Sequence, residues 1–231
     1  DQEGIALGSG FDRYSVRLNL DNKAKDWLSI NGNFNYAQTD EKLSTTQSNI
    51  ISRAIQLPPH IPVRNIDGTY GGGTVTPTNT SEQFTPPNPI GLANITTNEL
   101  ARKQFLGGLT LAFHIIEGLD FRTSVNGNVN FSNSTYFLPT YRFGYQKNEE
   151  ARLNNRNSLN TYWNWNQMLQ YEKQFGKHRL NIMATHESQE STWRNLYGER
   201  RGFQTNDILD LNAGDLLTSV ASGGHGDWAM E

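Results

Sequence analysis

An all-β fold of antiparallel hairpins, apolar on one face and polar on the other, is predicted by three observations. Apolar residues fall at nearly every second position through three long stretches. Connections are short inside each stretch and long between stretches. Only 35% of the chain is hydrophobic and mean hydropathy is −0.66, which is thin for a core enclosed on all sides. A period of two puts alternate residues on opposite faces of a strand. One face then carries no charge while the other is rich in Asn, Ser and Arg, the division expected of a transmembrane β-barrel whose wall separates lipid from a water-filled interior.

The first hairpin is expected over about residues 12–36. Tyr14, Val16, Leu18 and Leu20 alternate with Ser15, Arg17, Asn19 and Asp21. After a turn at residues 22–25, Leu28, Ile30, Gly32, Phe34 and Tyr36 alternate with Ser29, Asn31, Asn33 and Asn35. The second covers about residues 103–135. Its apolar set is Phe105, Gly107, Leu109, Leu111, Phe113 and Ile115, then, past a Glu117-Gly118 turn, Leu119, Phe121, Thr123, Val125, Gly127, Val129 and Phe131. Asp120, Arg122, Ser124, Asn126, Asn128, Asn130 and Ser132 lie opposite on the return strand. The outgoing strand is less clean, with Leu106 and Ala112 beside Gln104, Thr110 and His114. The third covers about residues 158–187, with Trp163, Trp165, Leu169 and Tyr171 on one side and Gln167 as the exception. Leu180, Ile182 and Ala184 follow a turn at residues 173–177.

Across these six strands the apolar side carries no Lys, Arg, Asp or Glu, whereas the other side carries Arg17, Asp21, Asp120, Arg122, Arg179 and Glu187. A Lys or Arg at mid-depth on a lipid face costs about 2–4 kcal/mol, so lipid contact requires that absence. Long loops are expected at about 37–102, 136–157 and 188–231, the asymmetry of outer-membrane barrels with short periplasmic turns and long external loops. Tyr14, Tyr36, Phe131 and Trp163 fall toward the long-loop end, and Trp27, Phe113, Phe121 and Tyr171 toward the short turns, giving two aromatic girdles. In the first long loop, Ile50, Ile51, Ala54, Ile55 and Leu57 have helical spacing over residues 46–57, ended by Pro58-Pro59. The rest of that loop, with Pro86, Pro87 and Pro89, reads as irregular, and Gly71-Gly72-Gly73 reads as a flexible turn.

Several function classes are excluded. A net charge of −3 gives no sign of a nucleic-acid binder. Without cysteine there are no disulfides and no thiolate metal sites. No run of about 18 apolar residues exists, so no transmembrane helix is expected. Asp1 opens in polar sequence without a signal peptide, as in a mature protein or a piece of a longer one. His60, His114, His178, His186 and His225 are scattered without metal-ligand spacing, and Asp207, Asp210 and Asp215 lack the calcium-loop pattern. There is no phosphate loop, no Gly-x-Ser-x-Gly elbow and no spacing that pairs a nucleophile with a base. Adjacent Glu149 and Glu150 would point apart on a strand. No enzyme, no cofactor and no metal is expected. Tyr162 and the loop residues Tyr141, Phe143, Tyr145, Trp193 and Tyr197 are candidates either for stacking on a sugar ring or for ordinary loop packing.

At this point ordered motifs enter. Phe11-Asp12-Arg13-Tyr14-Ser15-Val16-Arg17-Leu18-Asn19-Leu20-Asp21 with Asp26-Trp27-Leu28 resembles the SusC/RagA-like TonB-dependent outer-membrane transporters. So do Leu57-Pro58-Pro59-His60-Ile61-Pro62-Val63, Asn65-Ile66-Asp67-Gly68-Thr69-Tyr70 and Asn88-Pro89-Ile90. Phe105-Leu106-Gly107 leading to Gly118-Leu119-Asp120-Phe121-Arg122, and Gln174-Phe175-Gly176-Lys177-His178 with Leu180, continue the family's order across most of the chain. The resemblance implies a barrel of about 22 strands closed by a plug domain. This chain would then be an internal barrel fragment lacking the plug and the TonB box. It also implies an outer-membrane location, a SusD-like surface lipoprotein as lid, energy from the TonB complex through parts outside this chain, and an oligosaccharide or peptide substrate. The expected function is part of an active importer of a nutrient, with an oligosaccharide favoured. Arg17, Asn31, Asn33, Arg122, Asn126, Asn128, Tyr162 and Asn164 on the interior side are the expected substrate contacts. Two rival readings are a soluble β-sandwich carbohydrate-binding module, which would bury the apolar face against a second sheet, and a passive porin or adhesin barrel.

Overall fold

The computed structural model of the chain describes residues 2–3, 7–43 and 50–231. Its strands are β1 (Gln2–Glu3), β2 (Gly10–Lys25), β3 (Leu28–Lys42), β4 (Thr97–Ile116), β5 (Leu119–Leu138), β6 (Tyr141–Phe143), β7 (Gln146–Asn148), β8 (Arg152–Phe175), β9 (His178–Arg201) and β10 (Val220–Met230). Eight of them form one antiparallel sheet in the order β1-β2-β3-β4-β5-β8-β9-β10, and β6-β7 make a separate small hairpin. Two short helices, α1 (Ile50–Gln56) and α2 (Pro89–Ile95), lie between β3 and β4. Helical spacing expected over residues 46–57 therefore appears as α1, with 46–49 outside the described residues. No helix among the described residues is long and apolar enough to cross a membrane, a fact that bears only on helices.

Register decides which residues share a face. Leu20 pairs with Gly32, Gly32 with Leu109, Leu109 with Val125 and Val125 with Trp165, so the apolar set runs unbroken across five strands. Asn19, Asn33, Gly108, Asn126 and Asn164 form the adjoining row on the opposite face. Among the described residues nothing covers the apolar set. Tyr14, Leu18, Leu109 and Val125 remain 65%, 62%, 49% and 51% exposed. At the turn end, Trp27, Phe113 and Phe121 form a file of rings with centroids 6.2 and 6.0 Å apart, and nearer the loop end Phe34 meets Phe105 edge-on at 4.7 Å.

The apolar band ends sharply. Beyond the Phe131–Leu159 pair on the same face come Asn133 and Asn157, whose amides hydrogen-bond at 2.6 Å, then Thr135 opposite Asn155. Farther still, Phe137 and Leu153 are buried with Ala151 and Phe203, and Leu211 and Ala213 lie against them. This small core exists because residues 202–219 fold back over the strand ends. Arg200 holds that segment through its Nη1 to the Leu211 carbonyl (3.1 Å) and its Nε to Ser219 (2.9 Å).

Strands outlast the alternation that marks them in the sequence. The loop expected at 188–231 instead holds the second half of β9 and all of β10. The loop at 136–157 shrinks to residues 139–151 and contains β6-β7, and that at 37–102 shrinks at both ends. The physical reason is common to all three. Past the apolar band both faces of a strand are polar or loop-covered, so no period-two signal remains, while the backbone ladder continues regardless. The region expected to be irregular after Pro86 contains α2, started by Asn88, whose side chain accepts from the Gly91 amide, and by Pro89 in the first turn.

Gly71-Gly72-Gly73 is not a flexible turn. A Cβ on Gly72 would stand 2.0 Å from the Phe143 carbonyl oxygen, and one on Gly71 would stand 1.9 Å from that of Pro62. Only glycine permits so close a backbone approach. The segment is a seam between the first long loop and the β6-β7 hairpin, reinforced where the Tyr145 amide donates to the Gly73 carbonyl at 2.8 Å.

Candidate functional site

The polar face is built by alternate residues of β2 to β5 and β8 to β10. Its centre is an amide ladder. Asn126 donates to Asn164 at 2.9 Å, and Asn33 and Asn126 both reach over Gly108, where a Cβ would meet their side chains at 3.3 and 2.2 Å. Asn33, Asn126 and Asn164 are thus brought into a single row. Asn128 and Tyr162 pair in the next row, with Asn130 donating to Asn128 at 3.1 Å. Arg17 joins that row from β2, three strands from Asn128, at about 15 Å by the usual strand spacing. Asn31 sits one row nearer the turns, opposite Thr110, and Arg122 one row farther still, opposite Ala112 and Met168. The eight expected contact residues therefore share one surface without converging on one pocket.

Residues of β9 and β10 that sequence reasoning assigned to a loop complete this surface. The Tyr162 hydroxyl donates to Gln189 at 2.8 Å, and the Trp228 ring lies 6.5 Å from that of Tyr162. Trp193 pairs with Asn160 and Tyr197 with Arg156 on the same face. The tilted Tyr162–Trp228 pair and the neighbouring amides form a surface suited to rings edged with hydroxyls.

Near the short turns, Ser29, His114 and Asp120 line up across β3, β4 and β5. His114 Nδ1 is 2.7 Å from Asp120 Oδ1, and its Nε2 is 3.3 Å from Ser29 Oγ. Sequence spacing gave no sign of this because each residue comes from a different strand. The Ser-His contact is long, and the trio is a polar bridge tying three strands together. Among the described residues no group of three His, Cys, Asp or Glu side chains converges for a metal. Asp210 and Asp215 instead cap short 3₁₀ turns, accepting from the Asn212 and Leu217 amides at 2.9 Å each.

At the loop end, a cavity of about 490 Å³ is lined by Tyr70, Tyr141, Phe143, Arg64, Thr140 and Asn206 among others. Tyr141 and Phe143 stack at 4.6 Å, Phe143 meets Tyr70 at 5.3 Å, and Arg64 covers the Tyr70 ring at 4.3 Å. These aromatics are engaged with one another. Their first role is to lock the long loops together.

No family model matches the chain. Two curated relatives from Formosa agariphila do. TonB-dependent receptor P3 is 26% identical over 220 residues, covering 91% of this chain and 21% of that protein. TonB-dependent receptor P26 is 27% identical over 236 residues, covering 96% and 22%. The chain thus spans about a fifth of the length of the curated relatives it matches. Among solved structures, the RagAB peptide transporter superposes with a TM-score of 0.76 at 15% identity, over 96% of this chain and 25% of that one. The RagAB peptide importer in its closed-closed state gives 0.78 at 16%, over 99% and 26%. In sequence over nearly its whole length, and in fold, the chain is similar to the SusC/RagA-like TonB-dependent receptors.

Proposed function

We propose that this chain is a stretch of the wall of a larger closed β-barrel in the outer membrane, and that the whole protein imports a nutrient oligosaccharide with energy from TonB. The observation that carries the reading is the uncovered apolar band, charge-free between Lys103 opposite Phe131 at its loop edge and Lys173 opposite Leu180 at its turn edge and backed by the amide ladder, in a chain similar to TonB-dependent receptors. A soluble sandwich would lay a second sheet over that band. The other sheet among the described residues, β6-β7, packs with the loops.

The slant of the band supports closure. On β2 it reaches Tyr14, whose partner Gln38 is already polar, whereas on β9 it is confined to residues 180–184, paired with 169–173. From β2 to β9 the band steps toward the turns. Strands tilted by about 35–45° to a barrel axis carry a level membrane band across their rows in this way. By the same slant, the whole of β10 lies on the loop side of the band, so His225 and Asp227 on the apolar parity meet no lipid.

In this reading the lipid-facing side is the apolar band, the passage lies along Asn33, Asn126, Asn128, Tyr162 and Asn164, and the interlocked long loops are the contact surface for a SusD-like lipoprotein. An oligosaccharide is favoured over a peptide by the density of amides beside aromatic rings, since side-chain amides both donate to and accept from sugar hydroxyls. The test is uptake by the complete protein. Alanine at Asn126, Tyr162 and Asn164 together should lower oligosaccharide uptake by about tenfold, the loss of one to three modest hydrogen bonds, with membrane insertion unchanged. Undiminished uptake in a correctly inserted variant would remove the polar face from the pathway.

A further inference from the structure

The polar face carries a surplus of positive charge although the chain as a whole is at −3. On its strands Arg13, Arg17, Arg122 and Arg156 make no ion pair among the described residues, against Asp21 and Glu187 on the negative side. The surplus is greatest at the loop end. Arg152 and Arg201 face each other across β8 and β9, and both approach Glu199, Arg201 Nε at 3.0 Å and Arg152 Nε at 3.5 Å. Glu199 is 7% exposed and also accepts the Tyr197 hydroxyl. Burial by itself would push its carboxyl pKa up, yet Tyr197, Arg201 and Arg152 together hold it below the ordinary range, so this anion is fully committed.

The guanidiniums are not. Arg152 Nε, buried and too far from Glu199 to hydrogen-bond, has no hydrogen-bond partner among the described residues. Arg156 is exposed and lies 5.5 Å from the Tyr197 ring centroid. Arg53 of α1 and Arg152 both act on the charge of the Tyr136 hydroxyl, whose pKa burial nevertheless raises. Arg152 and Arg201 thus share the carboxylate of Glu199, and Arg156 stands on the same face beside Tyr197.

From this juxtaposition we infer that the loop-end mouth of the wall binds acidic oligosaccharides, through carboxylate or sulfate groups on the sugar. The inference rests on the import reading and narrows its substrate class. Guanidinium forks match oxyanions and attract them over distance into a cleft lined by one sign of charge. The rings and the amide ladder just below suit the sugar that carries the charge, and a peptide would gain less from them.

Calorimetric titration of the purified complete protein decides the matter, using oligosaccharides of equal length that are neutral, uronate-bearing or sulfated, together with an acidic peptide. The acidic oligosaccharides should bind at least about tenfold more tightly than the neutral one, as expected of a charge-assisted contact, and the difference should shrink as salt rises. Arg156→Gln should remove most of that difference, and Arg156→Lys, which keeps the charge without the fork, should restore part of it. Equal affinity for neutral and acidic sugars, tighter binding of the acidic peptide, binding of none of them, or a difference untouched by Arg156→Gln each overturns the inference. Acidic oligosaccharides that bind as expected but are not taken up would leave this site standing and overturn the import reading.

Discussion

Arginine in place of Leu109 is expected to destabilise the inserted protein by about 2–4 kcal/mol, the cost of a cation at mid-depth on a lipid face. Leu109 lies in the central row of the apolar band, between Gly32 and Val125 and half-exposed because no protein layer covers it. Thr110, its neighbour in sequence, faces the other way, opposite Asn31 and Ser124. Arginine at Thr110 should therefore be tolerated. The pair is compared in the complete protein by the fraction that stays folded in the outer membrane, read as heat-modifiable mobility on a gel. A large loss for Leu109→Arg and a small one for Thr110→Arg is the expected result. Equal losses would mean that the two faces do not meet different solvents.

Phe137→Ala should be the costliest single change in the external structure, about 3–5 kcal/mol for a buried phenylalanine removed from a well-filled site. Phe137 is 2% exposed, meets Phe203 edge-on at 5.6 Å, and shares its cluster with Leu153 and Ala151. That cluster is what fixes residues 202–219 over the strand ends. The expected consequence is local: faster amide exchange and protease cleavage in 202–219, with the membrane band undisturbed. Leu153→Ala, at the opposite side of the same contact, should act in the same direction. Unchanged exchange in that segment would show that it is held by Arg200 and its hydrogen bonds rather than by the apolar cluster.

How much of this was legible in the sequence follows from where the two solvents are. Between Tyr14 and Leu20, or Leu119 and Phe131, opposite faces of a strand have opposite requirements, and the residues record it at a period of two. Residues 188–201 have surroundings that are polar or covered by the folded-back segment, so β9 lost its signature there although its ladder to β8 is unbroken. The ordered loop was hidden for a different reason. Gly72 looks like a hinge in one dimension, and only the carbonyl of Phe143, 71 positions later, makes it a contact point. The polar-face residues were legible as a set, since parity alone assigns Asn33, Asn126 and Asn164 to one side. Their grouping into rows was not, because it depends on register. The same holds for the arginines: Arg152 and Arg201 come from different strands and meet at Glu199 only when β8 and β9 pair.

The central claim is that one face of this sheet meets lipid and the other water. The chain contains no cysteine, so single cysteines can be placed one at a time through 105–113 and 121–131 in a complete protein freed of any other cysteine, and tested in the membrane with a water-soluble maleimide. The expected result is a strict alternation, with Thr110, Ser124, Asn126 and Asn128 positions labelled and Phe105, Leu109, Val125 and Val129 positions protected until detergent is added. Labelling without that alternation, or protection that survives detergent because a second protein layer covers the apolar face, would contradict it.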